Sequence, residues 1–158
     1  MIKKRSIIAV VFIACCLNAT KSMSQTEIDT SVLLSKVNEL RAKGCQCGDK
    51  QMPATTPLIW NATLADAAQE HSVYMDKAQT LEHQEADGSR AGERITKKGY
   101  VWRTYGENVA MGPVSAEAVI ELWKNSPSHC KNMMKADFIQ MGVGQSGKYW
   151  TQVFGTPK

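Results

Sequence analysis

The run Tyr105-Gly106-Glu107-Asn108-Val109-Ala110-Met111-Gly112 constrains this chain more than any other stretch. Its residues alternate as those of a β-strand do, with Glu107, Val109 and Met111 on one face and Asn108 and Ala110 on the other. Gly106 and Gly112 bound it, so the expected strand is short. Glu107 is the one ionisable residue in an otherwise apolar run. A carboxylate there needs a partner, because an unpaired buried charge is expensive. His83 and His129 are the candidate partners.

The N-terminus sets the compartment. Met1-Ile2-Lys3-Lys4-Arg5 is followed by an apolar run from Ile7 to Leu17, too short to span a bilayer and typical of a secretory leader. Ser22 and Ser24 suit cleavage after Ser24, which leaves residues 25–158 as one domain, secreted or periplasmic. A second reading is open: Ile13-Ala14-Cys15 resembles a lipoprotein box with Cys15 as the lipidated residue. With the leader go Lys3, Lys4, Arg5 and Lys21, so the 19 basic residues fall to 15, against 15 acidic ones. The basic character of the full chain therefore belongs to the leader. Nothing in the remainder argues for nucleic acid or an anionic membrane surface, and no transmembrane segment is left.

Three cysteines remain: Cys45, Cys47 and Cys130. Export makes a disulfide plausible. Alternate residues rarely meet disulfide geometry, so the expected bridge joins Cys130 to Cys45 or to Cys47. Closing so long a loop is worth roughly 4 kcal/mol in the chain-entropy model. The odd cysteine is left free or intermolecular.

Periodicity predicts a first helix from about Thr30 to Lys43, with Leu33, Leu34, Val37 and Leu40 as its stripe and Gly44 closing it. A loop is expected from Cys45 to Pro57. Asn61 caps a second helix whose apolar face runs through Leu64, Ala67, Ala68, His71, Met75 and Ala78. His71 falls inside that stripe and is read as a packed histidine satisfied locally. Leu81 to Gly88 has no apolar period and is loop. A short helix is expected from Ser89 to Lys98, then the Glu107 strand. Ser115 caps a fourth helix with Ala116, Val119, Ile120 and Trp123 buried and Glu121 solvated. Ser126 or Ser128 caps a last short helix ending at Met134. Ile139 to Val143 and Tyr149 to Phe154 form a hairpin about a turn at Gln145–Lys148. Helices flanking a few antiparallel strands make a layered sandwich.

Four segments occur in the order of a known family: Gly106-Glu107-Asn108-Val109-Ala110, Trp123-Lys124-Asn125-Ser126-Pro127-Ser128-His129-Cys130-Lys131-Asn132-Met133-Met134, Gly142-Val143-Gly144, and Tyr149-Trp150-Thr151-Gln152-Val153-Phe154-Gly155. Together they resemble the bacterial branch of the CAP superfamily, which includes cysteine-rich secretory proteins, venom allergens and pathogenesis-related proteins. The resemblance covers about Val32 to Gly155. It implies an α+β fold, a three-layer α-β-α sandwich with a central antiparallel sheet. Eukaryotic members line a cleft with two histidines and two glutamates. By position, His83 matches the first histidine and Glu107 the first glutamate. The second glutamate falls on Ser126 and the second histidine on Tyr149, so half of that set is missing. His129, from the bacterial-type turn, is expected to point into the same cleft.

The binding cleft expected from this is His83, Glu107, His129 and Tyr149. Two imidazoles and a carboxylate suit zinc or another divalent cation, with His83, Glu107 and His129 as ligands. The competing reading is a Glu107–His129 pair that braces the cleft wall without metal. Three functions compete. The first is a non-catalytic module that binds a small ligand, a lipid or a cell-envelope component, as relatives do. The second is a purely structural envelope protein. The third is a hydrolase using metal-bound water or Glu107 as base. No activated nucleophile supports the hydrolase, since Cys130 and His129 are adjacent in the chain and rarely face each other.

Overall fold

The computed structural model describes residues 28–158. The leader, its cleavage after Ser24 and the alternative lipidation at Cys15 lie outside the described residues. Among those described, no helix is long and apolar enough to cross a membrane.

The elements in chain order are α1 (Thr30–Lys43), β1 (Cys45–Cys47), β2 (Lys50–Met52), β3 (Ile59–Trp60), α2 (Ala62–Ala78), α3 (Ala91–Lys97), β4 (Trp102–Met111), α4 (Ala116–Lys124), α5 (Pro127–Met133), β5 (Gln140–Ser146) and β6 (Tyr149–Pro157). The longer helices start where a side chain can satisfy orphan amides. The Asp29 carboxylate accepts from the N–H groups of Ser31 and Val32. Asn61 Oδ1 accepts from Leu64 N–H at 3.0 Å and Ser115 Oγ from Ala118 N–H at 3.2 Å. Asn61 also donates to Gln140 Oε1, which ties the start of α2 to β5.

Four strands form the main sheet in the order β3-β5-β6-β4. β6 pairs antiparallel with both β4 and β5, placing Glu107 opposite Val153 and Asn108 opposite Gln152. The expected antiparallel sheet therefore holds for the three long strands. β3 adds two residues parallel to β5, too few for any periodicity to signal. The helices cover both faces. On one, Leu64, Ala67 and Ala68 of α2 and Ile95 of α3 pack on Val153. On the other, Leu33 and Val37 of α1 and Val119, Ile120 and Trp123 of α4 pack on Ala110, Met141, Val143, Trp150 and Phe154.

Two glycines set the closeness of α2. A Cβ on Gly142 would lie 2.2 Å from Ala65 N, and one on Gly144 would lie 2.2 Å from Gln69 N. Only bare backbone lets the helix settle directly onto β5.

Two expectations need correction, and one buried residue carried no sequence signal. β4 does not begin at Gly106 but runs through it from Trp102. That glycine is there because Phe138 stacks against it, and a Cβ would meet the ring at 2.7 Å. The segment from Cys45 to Pro57 is not all loop: β1 and β2 form a small antiparallel hairpin that turns at Gly48, φ +65°. Arg41, a polar residue in α1, is fully buried. It donates to the carbonyls of Thr56, Met133, Lys135 and Phe138 at 2.7 to 3.1 Å, tying α1 to the segment before β3 and to the end of α5. Burial pushes its guanidinium down to about 10, so it stays charged at neutral pH.

Cys130 is bonded to Cys47, 83 residues away, and Cys45 keeps a free thiol. The bridge fixes the β1–β2 hairpin to α5.

Candidate functional site

The site is built on β4, the edge strand next to β6. Alternation sends Glu107 toward the α3 side, where its carboxylate is almost completely buried. Asn108 points the other way, toward α5. Its amide donates to the His129 carbonyl at 3.2 Å and to Gln152 Oε1 at 3.0 Å. Asn132 of α5 donates to Asn108 Oδ1 and to the Glu107 carbonyl, fixing the strand at the point where Glu107 projects.

Each oxygen of Glu107 has its own partner. His83 Nδ1 lies 2.8 Å from Oε1 and Arg94 Nη2 lies 2.5 Å from Oε2. Of the two candidate partners, His83 therefore meets Glu107, and the competing Glu107–His129 brace is not formed. An ionised carboxylate accepts and does not donate, so Nδ1 of His83 carries a proton, and in the neutral imidazole the lone pair is then on Nε2. The His83 side chain is 49% exposed, so that lone pair belongs to an accessible imidazole. Arg94 also donates to the backbone carbonyl of His83 at 3.2 Å and of Ser89 at 3.1 Å, so one guanidinium positions both the carboxylate and the loop that carries the histidine.

Arg94 was not singled out in the sequence. The signal for it is an arginine in the buried stripe of α3, beside Ala91, Gly92 and Ile95. A charge in such a stripe implies an opposite charge facing it.

His129 stands in the first turn of α5 and is half-buried. Burial, and then the charge of neighbouring His83, push its pKa below the ordinary 6.5, so it is held neutral. Its Nδ1 is buried without a hydrogen-bond partner among the described residues, as is Gln152 Nε2. Both atoms belong to residues that the Asn108 amide bonds. His83, from the loop before α3, and His129, from α5, lie near enough for the charge of one to act on the other.

Tyr149 does not join them. It sits opposite Met111, four residues along β4 from Glu107 or roughly 13 Å at strand rise. It is buried with Met75 and Val109, with Tyr74 packed against them, so the position transferred from relatives falls in the core and not in the cleft. His71 is fully buried, as its place in the α2 stripe implies. Its Nε2 donates to the Glu82 carbonyl at 2.8 Å and its Nδ1 lies 2.9 Å from Glu85 Oε1. Glu121 is a solvated carboxylate bridged to Lys124 on the surface.

The donor set decides how a cation would fit. Among the described residues, the one group of three or more metal-ligating side chains whose ligand atoms all lie within 4.8 Å of one another is Cys45, Cys47 and Cys130. His83, Glu107 and His129 do not close to that extent. With both carboxylate oxygens engaged and Arg94 against one of them, Glu107 does not face outward as a ligand. It orients the His83 imidazole through Nδ1.

Known proteins place this geometry in a family. The family model for CAP, the cysteine-rich secretory protein family, matches residues 34–154. This chain belongs to the CAP family. The Bacillus subtilis (strain 168) protein YkwD is 32% identical over 108 residues, 67% of this chain and 42% of YkwD, so the chain spans less than half of that relative. An extracellular protein of Bacillus anthracis containing an SCP domain superposes with a TM-score of 0.63 at 30% identity, covering 66% of this chain and 35% of that one. An outer surface protein of Borrelia burgdorferi superposes with a TM-score of 0.68 at 24% identity over 81% of this chain and 92% of its own, a likeness of fold. The α+β sandwich of α2 and α3, sheet, and α1 and α4 is the CAP fold in this chain.

Proposed function

We propose that this CAP protein is a non-catalytic extracellular binding module whose ligand site is the edge of β4 between His83 and His129. The observation that carries this is the contact between His83 Nδ1 and Glu107 Oε1 at 2.8 Å, which leaves Nε2 of an accessible imidazole to face a ligand, with the half-buried His129 near enough to feel its charge.

Two imidazoles, one backed by a carboxylate, suit zinc or a similar divalent cation, which binds them in their neutral form. His83 and His129 would hold it, with Glu107 and Arg94 orienting His83 from behind. When bound, such a cation supplies a Lewis-acidic point with open positions for an oxygen ligand. Small anionic ligands fit that chemistry, including the head group of a lipid or an acidic component of the cell envelope. The site residues then bind and orient; no residue stands ready to attack. Of the two residues flanking His129, Cys130 is held in the disulfide with Cys47 and the exposed Ser128 hydroxyl lies 3.4 Å from Ser126 Oγ.

Zinc calorimetry on the wild type, His83→Ala and His129→Ala tests the proposal. Each substitution should weaken binding by about tenfold or more, because each removes one of two direct ligands. Unchanged zinc affinity in both variants contradicts it.

A further inference from the structure

A cluster of three sulfurs lies away from the histidines. Cys45 and Cys47 are alternate residues of β1, so both sulfurs point to one face of the hairpin, and Cys130 of α5 faces them. Cys47 and Cys130 share the disulfide and are fully buried. The free Sγ of Cys45 lies 3.6 Å from Cys130 Sγ and 3.8 Å from Cys47 Sγ, in contact with the bond and only half-buried. A groove reaches the neighbouring residue Gly44 without including Cys45 itself. It is lined by Lys36, Lys43, Gly44 and Lys124, with Glu39 and Glu121, and Gly44 immediately precedes Cys45. Lys124 is near enough for its charge to act on the Cys45 thiol.

We propose that Cys45, Cys47 and Cys130 form a thiol–disulfide exchange site, in which Cys45 opens the buried disulfide to small thiols arriving through that groove. In the first step the Cys45 side chain, which the two distances place beside the bond, swings into line with it and its thiolate attacks Cys130 Sγ. The Cys45–Cys130 bond forms, the Cys47–Cys130 bond breaks, and Cys47 leaves as a thiolate that takes up the proton Cys45 gave up. No electron leaves the protein. Attack on Cys130 is favoured over attack on Cys47, because a Cys45–Cys47 bond would join alternate residues.

In the second step a small thiol attacks the Cys45 sulfur, the accessible end of the new bond. A mixed disulfide forms on Cys45 and Cys130 leaves as a thiolate that is then protonated. A second small thiol attacks the mixed disulfide at the small-molecule sulfur, releasing the oxidised small-molecule disulfide and restoring the Cys45 thiol. Two small thiols are oxidised and one protein disulfide is reduced. The reverse sequence reforms the bridge from a small disulfide. Access decides these rates as much as thiolate content does, and the direct route to the bond is closed because both bonded sulfurs are buried.

The test uses the exported chain, held at pH 8.5 because burial raises the Cys45 thiol. Samples are quenched in acid, denatured, alkylated with N-ethylmaleimide under acidic conditions, digested without reduction and fragmented. Exchange places the label on Cys47 as well as on Cys45 within the Gly44–Lys50 peptide. In a parallel measurement, glutathione should reduce the bridge of Cys45→Ser about tenfold or more slowly than that of the wild type, since the relay thiol is gone. Label on Cys45 alone at every time point overturns the proposal. So does an equal reduction rate in Cys45→Ser.

Discussion

Arg94 and Glu107 form a buried ion pair, with Nη2 and Oε2 2.5 Å apart and both side chains almost wholly removed from solvent. The pair presents His83, through Glu107 Oε1 and through the His83 carbonyl. Replacing Arg94 by Leu strands the Glu107 carboxylate and frees the loop carbonyls of His83 and Ser89. The expected loss is about 3–5 kcal/mol by urea unfolding, typical of an uncompensated buried charge. Arg94→Leu combined with Glu107→Leu should recover much of that loss while still failing to orient His83, so stability and zinc binding should separate in the double variant.

Gly144→Ala tests the closeness of α2 to β5. The new methyl would fall on backbone atoms of Ala68 and Gln69, which cannot rotate away. The expected cost is about 1–3 kcal/mol, at the upper end because backbone must shift. It is read as a lower urea midpoint at constant m. The hydrogen bond of Ser72 Oγ to the Gly144 carbonyl, 3.0 Å, should weaken with it.

Arg41→Met keeps the length of the side chain and removes four donated hydrogen bonds. The carbonyls of Thr56, Met133, Lys135 and Phe138 then lose a charged donor at once. The expected cost is about 2–4 kcal/mol. Amide exchange should rise first in α5, the element that Arg41 clamps from its end.

His129 makes the metal-free protein less stable on mild acidification. Its folded pKa lies below the unfolded 6.5, so as pH falls the unfolded chain takes up the proton first. The stability it contributes is complete above about pH 6.5 and is lost as pH falls from there through the folded pKa. Urea titrations across pH 7.5 to 5 should show this loss in the wild type and a smaller one in His129→Asn. An identical pH dependence in both proteins would assign the acid sensitivity to other groups.

Much of this was legible in the sequence for local reasons. Asn61 and Ser115 cap helices through their own side chains, and the α2 stripe placed His71 in the core. Glu107 announced its need for a partner by being charged in an apolar strand. What escaped was non-local. Arg94 and Arg41 sit in buried helical stripes where their long side chains resemble surface residues until their carbonyl and carboxylate partners are known. The choice of Cys47 over Cys45 turned on which sulfur meets Cys130, and strand alternation points both the same way. Tyr149 was misplaced because its position came from relatives, whereas the register with Met111 sets it among Met75 and Val109. Gly106 marks a close approach of Phe138 and not the start of β4.

The central claim is that Glu107 holds His83 with Nε2 free beside His129. The three histidines make it directly measurable by long-range proton–nitrogen NMR of their imidazoles at neutral pH, without and with zinc. The account predicts that His83 is the Nδ1–H tautomer, that zinc shifts the resonances of His83 and His129 together, and that His71, sealed between Glu85 and the Glu82 carbonyl, does not move. An Nε2–H tautomer at His83, or zinc shifts that pass over both His83 and His129, would contradict it.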